Sequence, residues 1–129
     1  MSIREIVCAV IVRECRILLT QRRPGKSFAF AWESPGGKAE MADSWHSALR
    51  RECLEELGIT VRQATPWLTR TFSYPHATVR LRFYRVTDWH GELTPRERQQ
   101  FAWQTAENIT VSPLPPTITP ILRSLALPS

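Results

Sequence analysis

Apolar and β-branched residues dominate the start of the chain, in two runs that predict strands. The runs are Ile3–Val12 and Ile17–Arg22, and the polar step 13–16 between them predicts a tight connection. Farther along, Trp67–Tyr74 and Thr78–Val86 flank a Pro-His-Ala turn signal and predict a second pair of strands. In the last run apolar side chains alternate with arginine and tyrosine, which is the period of a half-buried strand.

The region between the two strand pairs has the pattern of a helix. Asp43 or Ser44 is a suitable N-cap, and apolar side chains recur at intervals of four from Leu49 to Leu57. Gly58 follows, where a left-handed C-terminal residue belongs. The pattern therefore predicts one long helix with a single buried stripe.

The rest of the chain is more polar and richer in proline. Residues 91–100 indicate a loop, 101–104 a short apolar segment and Pro120–Leu127 a final helix. No internal repeat and no long linker interrupts the sequence. We therefore expect one domain over residues 1–129, of the α/β or α+β class with a mixed sheet.

Composition and charge narrow the class of protein. The chain has 129 residues, 43% of them hydrophobic and 22% charged, which is typical of a globular domain. It has no apolar run of the ~20 residues that a membrane span needs, so no membrane partner is expected. Three cysteines leave an odd one and form no metal-ligand spacing, which favours a reducing, cytoplasmic compartment.

The net charge of +5 comes almost entirely from arginine, with lysine only at Lys26 and Lys38. Arginine binds phosphate oxygens in a bidentate fork, so a phosphorylated small molecule such as a free nucleotide is an expected partner. The arginines are scattered rather than in one run, which disfavours a dedicated nucleic-acid binder. A plain solvated basic surface is the alternative. The sequence is compatible with a monomer or a homodimer.

Three glutamates crowd the predicted helix beside Arg51. Glu52, Glu55 and Glu56 are spaced by three and four residues, which places their carboxylates on one face. Like charges at these spacings destabilise a helix by about 0.2–0.5 kcal/mol per pair, so a cation is expected to neutralise them. All-oxygen ligation suits Mg²⁺, or Mn²⁺, better than zinc. The alternative is a solvated acidic face with no bound ion.

These residues also resemble the motif of the Nudix hydrolase family. The motif positions are filled by Gly37, Asp43, Arg51, Glu52, Cys53, Glu55, Glu56, Gly58 and Ile59. Two positions depart from the family pattern: Asp43 stands where the family has glutamate, and Cys53 fills an aliphatic position as a small hydrophobe. Trp32–Lys38 is similar to the strand and loop that precede the motif in MutT-type members. The resemblance covers nearly the whole chain.

The resemblance implies a fold and an activity. The fold would be the Nudix α/β/α sandwich, a mixed sheet between the motif helix and a C-terminal helix. The family hydrolyses nucleoside diphosphates linked to a further moiety, and its MutT-type members convert a nucleoside triphosphate to the monophosphate and pyrophosphate. The implied task is removal of a modified or surplus nucleotide. ADP-ribose or dinucleoside polyphosphate hydrolysis, and a nucleotide- or RNA-binding module without catalysis, are the alternatives.

The resemblance also implies which residues do the chemistry. The metal ligands would be Gly36 or Gly37 through a carbonyl, Glu52, Glu55, Glu56 and Glu97. Arg51 would orient the glutamates through a charge-assisted hydrogen bond. Either Glu52 or Glu97 would take the proton from the attacking water, and the sequence leaves that choice open.

Substrate contacts are implied at five positions. They are Arg22, Glu33, Lys38, Tyr74 and Ile118. Arg22 would contact a phosphate or the sugar, and Lys38 would lie beside the metal loop. Glu33 would be an acid of the base pocket, and Tyr74 would line that pocket and stack on the base. MutT itself has asparagine at the position of Ile118, where it reads oxidised guanine. Because isoleucine offers no hydrogen bond there, a pyrimidine or another modified base fits at least as well.

Overall fold

A computed structural model describes residues 3–21, 31–39, 44–96, 100–105 and 108–114. Its elements are β1 Ile3–Arg13, β2 Arg16–Gln21, β3 Trp32–Glu33, β4 Gly36–Lys38, α1 Trp45–Leu57, β5 Thr60–Tyr74, β6 Ala77–His90 and β7 Phe101–Gln104. No helix in these ranges has the length and apolar character needed to cross a membrane.

The strands form one mixed sheet that supports the helix. Its order is β3-β2-β1-β6-β5, with β4 paired to β1 and β7 paired to β2. β1 and β6 run parallel, and the other pairs are antiparallel. The mixed sheet with a packed helix confirms the predicted α+β class. The predicted C-terminal helix, Pro120–Leu127, lies outside the described residues.

The first two strands are joined as tightly as the sequence predicts. Arg13 pairs with Arg16 across a two-residue turn. Both turn residues, Glu14 and Cys15, have positive φ angles of 50° and 62°. Positive φ at both central positions is the geometry of the type I′ turn, whose twist matches that of the flanking strands.

The helix α1 begins and ends where its caps predict. The Ser44 hydroxyl accepts a hydrogen bond from the Ser47 N–H at 3.1 Å. At the other end Gly58 has φ 70°, and its N–H donates to the Leu54 carbonyl at 3.1 Å. The buried side chains of the helix are Ala48, Leu49, Cys53 and Leu57.

The core lies on both faces of the sheet. On one face the buried stripe of α1 packs on β1, β5 and β6, around Ile11, Ile59 and Val86. On the other face Trp32 and Phe83 pack with apolar side chains of β1, β2 and β6. Successive side chains of β1 and β6 point to opposite faces of the sheet, so both strands contribute residues to both clusters.

Two strands are longer than the sequence predicts. β5 starts at Thr60 rather than Trp67, and β6 continues to His90 rather than ending at Val86. The added part of β5 contains a proline, Pro66, and its pairing with β6 shifts register three times. β5 is an edge strand, where bulges and proline are tolerated, so this segment lacks the regular alternation of an ordinary strand.

Leu49→Ala should lower the free energy of unfolding by about 2–5 kcal/mol. Leu49 is fully buried under the sheet, at 0% exposure, so truncation leaves a cavity that the core cannot fill. Urea denaturation measures the change. Leu54→Ala on the same helix is the matched control, because Leu54 is 48% exposed and its loss should change stability by less than about 0.5 kcal/mol. Equal losses in the two variants would contradict this packing.

Candidate functional site

Strand β4 is fixed to β1 by backbone hydrogen bonds at both of its ends. The Ala9 N–H donates to the Pro35 carbonyl at 2.7 Å, and the Ala39 N–H donates to the Glu5 carbonyl at 2.9 Å. Within β4, Gly36 and Gly37 pair with residues of β1. The two glycines therefore form a fixed section of backbone facing the helix.

Glu56 of the helix is bound directly to this backbone. The Gly36 N–H donates to Glu56 Oε2 at 3.0 Å. A Cβ atom on Gly36 would collide with the carbonyl oxygen of Val7 on β1. Glycine is therefore required here because the backbones of β1 and β4 approach closely, and that approach presents the N–H to the carboxylate.

Glu52 lies against the next glycine. A Cβ atom on Gly37 would overlap the Glu52 carboxylate, so the absent side chain leaves the space that this carboxylate occupies. Arg51 Nη2 is 3.6 Å from Glu52 Oε1 and donates to the Lys38 carbonyl at 2.9 Å. Arg51 thus links Glu52 to β4, and its role in orienting the glutamates stays a prediction.

Two buried cysteine thiols beside these carboxylates have raised pKa values. Burial raises the pKa of Cys53 to about 12, and the charges of Glu56 and Glu52 add to the rise. Burial also raises the pKa of Cys8, with further contributions from Glu33 and then Glu56. Cys8 therefore lies within electrostatic reach of both the predicted base-pocket acid and a predicted metal ligand. Both thiols stay protonated at neutral pH.

The remaining predicted site residues have different outcomes. Glu55 is exposed, whereas Glu52 and Glu56 are half-buried against β4. The Tyr74 ring stacks on His76 at the β5–β6 turn, with ring centres 5.8 Å apart. The predicted residues outside the described ranges are Arg22, Asp43, Glu97 and Ile118.

The donor chemistry fits a hard divalent cation. Glu52 and Glu56 both reach the glycine backbone of β4, so the side-chain donors there are carboxylate oxygens. Within the described ranges no three acidic, histidine or cysteine side chains come together as a closed metal cage. Mg²⁺ is commonly held by one or two carboxylates and completes its shell with water and substrate phosphate, so an open pair suits it.

A loop after β6 docks on the end of the same helix, which the sequence did not predict. The Thr94 N–H donates to the Leu57 carbonyl at 2.9 Å, and the Arg96 N–H donates to the Glu56 carbonyl at 3.0 Å. A helix whose last turn has no basic residue needs charge and donors from elsewhere, and that absence was the available signal.

A shallow cavity of about 210 Å³ opens between the start of α1 and the β5–β6 pair. Its lining residues are Trp45, Pro66, Trp67, Leu68, Thr69, Arg82, Phe83 and Tyr84. None of the predicted site residues is among them. The candidate site is therefore the junction of α1 with β4 and not this cavity.

Comparison with known proteins agrees with the geometry. The profile of the NUDIX domain matches residues 3–125. The CTP pyrophosphohydrolase of Escherichia coli K12 is 35% identical over 124 residues, covering 96% of this chain and 92% of that protein. The 8-oxo-dGTP diphosphatase of Haemophilus influenzae is 33% identical over 125 residues, with coverage of 96% and 92%.

A solved structure extends the likeness to the fold. The MutT NUDIX hydrolase from Burkholderia pseudomallei superposes with a TM-score of 0.86 at 26% identity, covering 98% of this chain and 100% of that one. The sheet and helix described above therefore have the Nudix arrangement. Together these matches show that the chain belongs to the Nudix family, as a MutT-type pyrophosphohydrolase that acts on phosphorus anhydrides.

Proposed function

We propose that this protein hydrolyses a nucleoside triphosphate to the monophosphate and pyrophosphate in a reaction that requires Mg²⁺. The observation that carries the proposal is that the Glu56 carboxylate accepts the Gly36 N–H and the Glu52 carboxylate lies against Gly37. Two relatives, named for CTP and for 8-oxo-dGTP, support a triphosphate substrate because both names specify one.

The residues that would hold the metal belong to the helix and its neighbours. They are Glu52, Glu55, Glu56, Glu97 and a carbonyl of the Gly36–Gly37 pair. When bound, Mg²⁺ supplies neutralisation of polyphosphate charge and lowers the pKa of a coordinated water, and Mn²⁺ would supply the same chemistry. The like charges on Glu52 and Glu56 are the reason that an apo helix of this sequence favours uptake of a cation.

The chain contributes orientation and a proton acceptor. Arg51 holds Glu52 against β4 through its contacts with the carboxylate and with the Lys38 carbonyl. In the reaction the water oxygen bonds to one phosphorus of the α–β anhydride, the bridging P–O bond breaks, and the products are the monophosphate and pyrophosphate. Glu52 or Glu97 accepts the proton of the water, and both remain candidates.

Substrate selection would use the side of the site nearer β3. Glu33 on β3 lies three residues before Gly36, whose N–H binds Glu56, so a base bound near Glu33 would have its phosphates near the predicted metal ligands. Arg22 and Lys38 would bind those phosphates, and Tyr74 and Ile118 would contact the base. An apolar side chain at Ile118 favours a pyrimidine or modified base over recognition of oxidised guanine.

A nucleotide panel with Mg²⁺ tests the proposal. Canonical and modified triphosphates, ADP-ribose and a dinucleoside polyphosphate are each incubated with the protein, and monophosphate and pyrophosphate are quantified. We expect triphosphates to have the highest kcat/KM, with no turnover when EDTA replaces Mg²⁺. Turnover of ADP-ribose or dinucleoside polyphosphate alone would replace the proposed substrate class, and tight binding without turnover would reject catalysis.

A further inference from the structure

An irregularity in β5 borders the cavity beside the start of α1. Pro66 of β5 pairs with Tyr84 of β6. The next pair on the same face joins Thr69 to Arg82, so two residues of β5 lie between the pairs where β6 has one. A strand with an extra residue bends away from its partner. Because Tyr84 packs with the apolar cluster under α1, the cavity opens on the helix side of the sheet.

Aromatic side chains form much of the cavity lining. Trp45, the first residue of α1, stacks on Tyr84 with ring centres 4.3 Å apart and planes 9° apart. Trp67 also lines the cavity, and the Arg85 guanidinium lies 5.2 Å from the centre of its ring. The volume of about 210 Å³ is below the ~300–1,000 Å³ of pockets for drug-sized ligands. A single small planar ring, which indole side chains bind by stacking, therefore suits this space.

Arg82 adds a positive charge to the same lining. Its side chain is 44% exposed, its Nε is 3.4 Å from Glu5 Oε2, and it donates a hydrogen bond to the Tyr84 hydroxyl. Arg80 Nη1 also binds Glu5, at 2.7 Å. Two arginines thus share one carboxylate, and this group keeps a net positive charge. Because a guanidinium has several N–H donors, Arg82 can bind an anion in addition to these contacts.

We propose that this cavity binds a small planar ring that carries an anionic group, with the ring among the aromatic side chains and the anion on Arg82. The cavity is separate from the predicted metal ligands, since Glu52 lies about 10 Å farther along α1 than Trp45 at the helical rise per residue. A nucleoside monophosphate has this chemistry, and so does an aromatic carboxylate. Binding here would need neither a metal nor catalysis, so the site is independent of the proposed function.

NMR titration of the ¹⁵N-labelled protein in EDTA tests the proposal. Cytidine 5′-monophosphate and benzoate are the anionic probes, and cytidine is the uncharged one. The anionic probes should shift the indole N–H signals of Trp45 and Trp67 with a Kd on the order of 1 mM, as expected for one stacked ring and one charge-assisted contact. Cytidine should bind about 10-fold more weakly than its monophosphate. Preference for the monophosphate over benzoate would identify a nucleotide as the ligand, and the opposite preference would identify another aromatic anion.

Arg82→Gln should weaken binding of both anionic probes about 10-fold and leave cytidine binding unchanged, because only the contact to the anion is lost. Arg16→Gln is the matched control. Arg16 is an exposed arginine on β2, it does not line the cavity, and the substitution changes the net charge by the same amount. This control should bind every probe as the wild type does.

Thr69→Tyr provides a second route if Arg82→Gln does not fold. Thr69 is exposed and lines the cavity, tyrosine is favoured in strands, and its ring would occupy the space of the ligand. Binding of all probes should be lost, whereas Thr71→Tyr, an exposed position of β5 that does not line the cavity, should bind normally. Absence of saturable shifts in the wild type at ten times the expected Kd would overturn the proposal. Wild-type affinity in both folded cavity variants would overturn it too.

Discussion

Glu56→Gln should lower kcat by about 100-fold or more while leaving the fold intact. Glutamine keeps an oxygen that accepts the Gly36 N–H, so the link to β4 is preserved. The substitution removes one negative charge from the proposed metal site, and metal binding supplies several kcal/mol of transition-state stabilisation. Loss of that stabilisation corresponds to two or more orders of magnitude in rate. Steady-state kinetics with Mg²⁺ and the best triphosphate measure the effect.

Stability distinguishes this outcome from simple misfolding. Glu52 and Glu56 are like charges one turn apart, so removing one should leave the metal-free Tm unchanged or slightly raised. Asp88→Asn is the control, because Asp88 is an exposed carboxylate on β6 and its loss should affect neither rate nor Tm. Near-normal turnover in Glu56→Gln would count decisively against a metal site on this helix.

Gly37→Ala should reduce turnover by about 100-fold with little change in Tm. The new methyl group would occupy the position of the Glu52 carboxylate, which is the end of a side chain that can rotate away. The fold therefore accepts the substitution, but Glu52 is displaced, and a misplacement of about 1 Å in a catalytic group costs on the order of 100-fold. Parallel measurements of kcat and thermal unfolding separate the two effects.

The neighbouring glycine supplies a control with the opposite signature. At Gly36 the new methyl group would meet the backbone oxygen of Val7, which cannot move without separating β1 from β4. Gly36→Ala should therefore destabilise the protein by about 1–3 kcal/mol. If Gly37→Ala were as active as wild type, Glu52 would not need the position that it has in this structure.

The sequence predicted local features of the fold accurately. Ser44 and Gly58 cap α1 at the predicted ends, because a capping hydroxyl and a left-handed glycine act within a few residues of themselves. The β1–β2 turn was predicted for the same reason. Apolar alternation also identified the central part of β6, whose side chains belong to the apolar clusters on both faces of the sheet.

The full lengths of β5 and β6 were not predictable from the sequence. Thr60–Pro66 is polar and contains proline, and only its pairing with β6 makes it part of a strand. An edge strand needs no regular apolar period, so its sequence contains little signal.

The candidate site likewise has one part that the sequence predicted and another that it did not. Spacing within one helix predicted that Glu52, Glu55 and Glu56 share one face. The structure places Glu52 and Glu56 against the glycine pair and leaves Glu55 exposed. Residue spacing could not predict contacts between segments that are distant in the sequence. Two such contacts are the pairing of β4 with β1 and the packing of Arg96 against Gly58. These depend on how strands far apart in sequence meet.

The β1–β2 turn has a practical consequence through its cysteine. Cys15 is exposed, whereas Cys8 and Cys53 are buried, and their raised pKa values keep those two thiols unreactive. A maleimide fluorophore should therefore label the native protein at Cys15 alone. Cys15 lies seven positions along the chain from Cys8, roughly 20 Å of strand and turn, so the dye would report tumbling and association without obstructing the carboxylates.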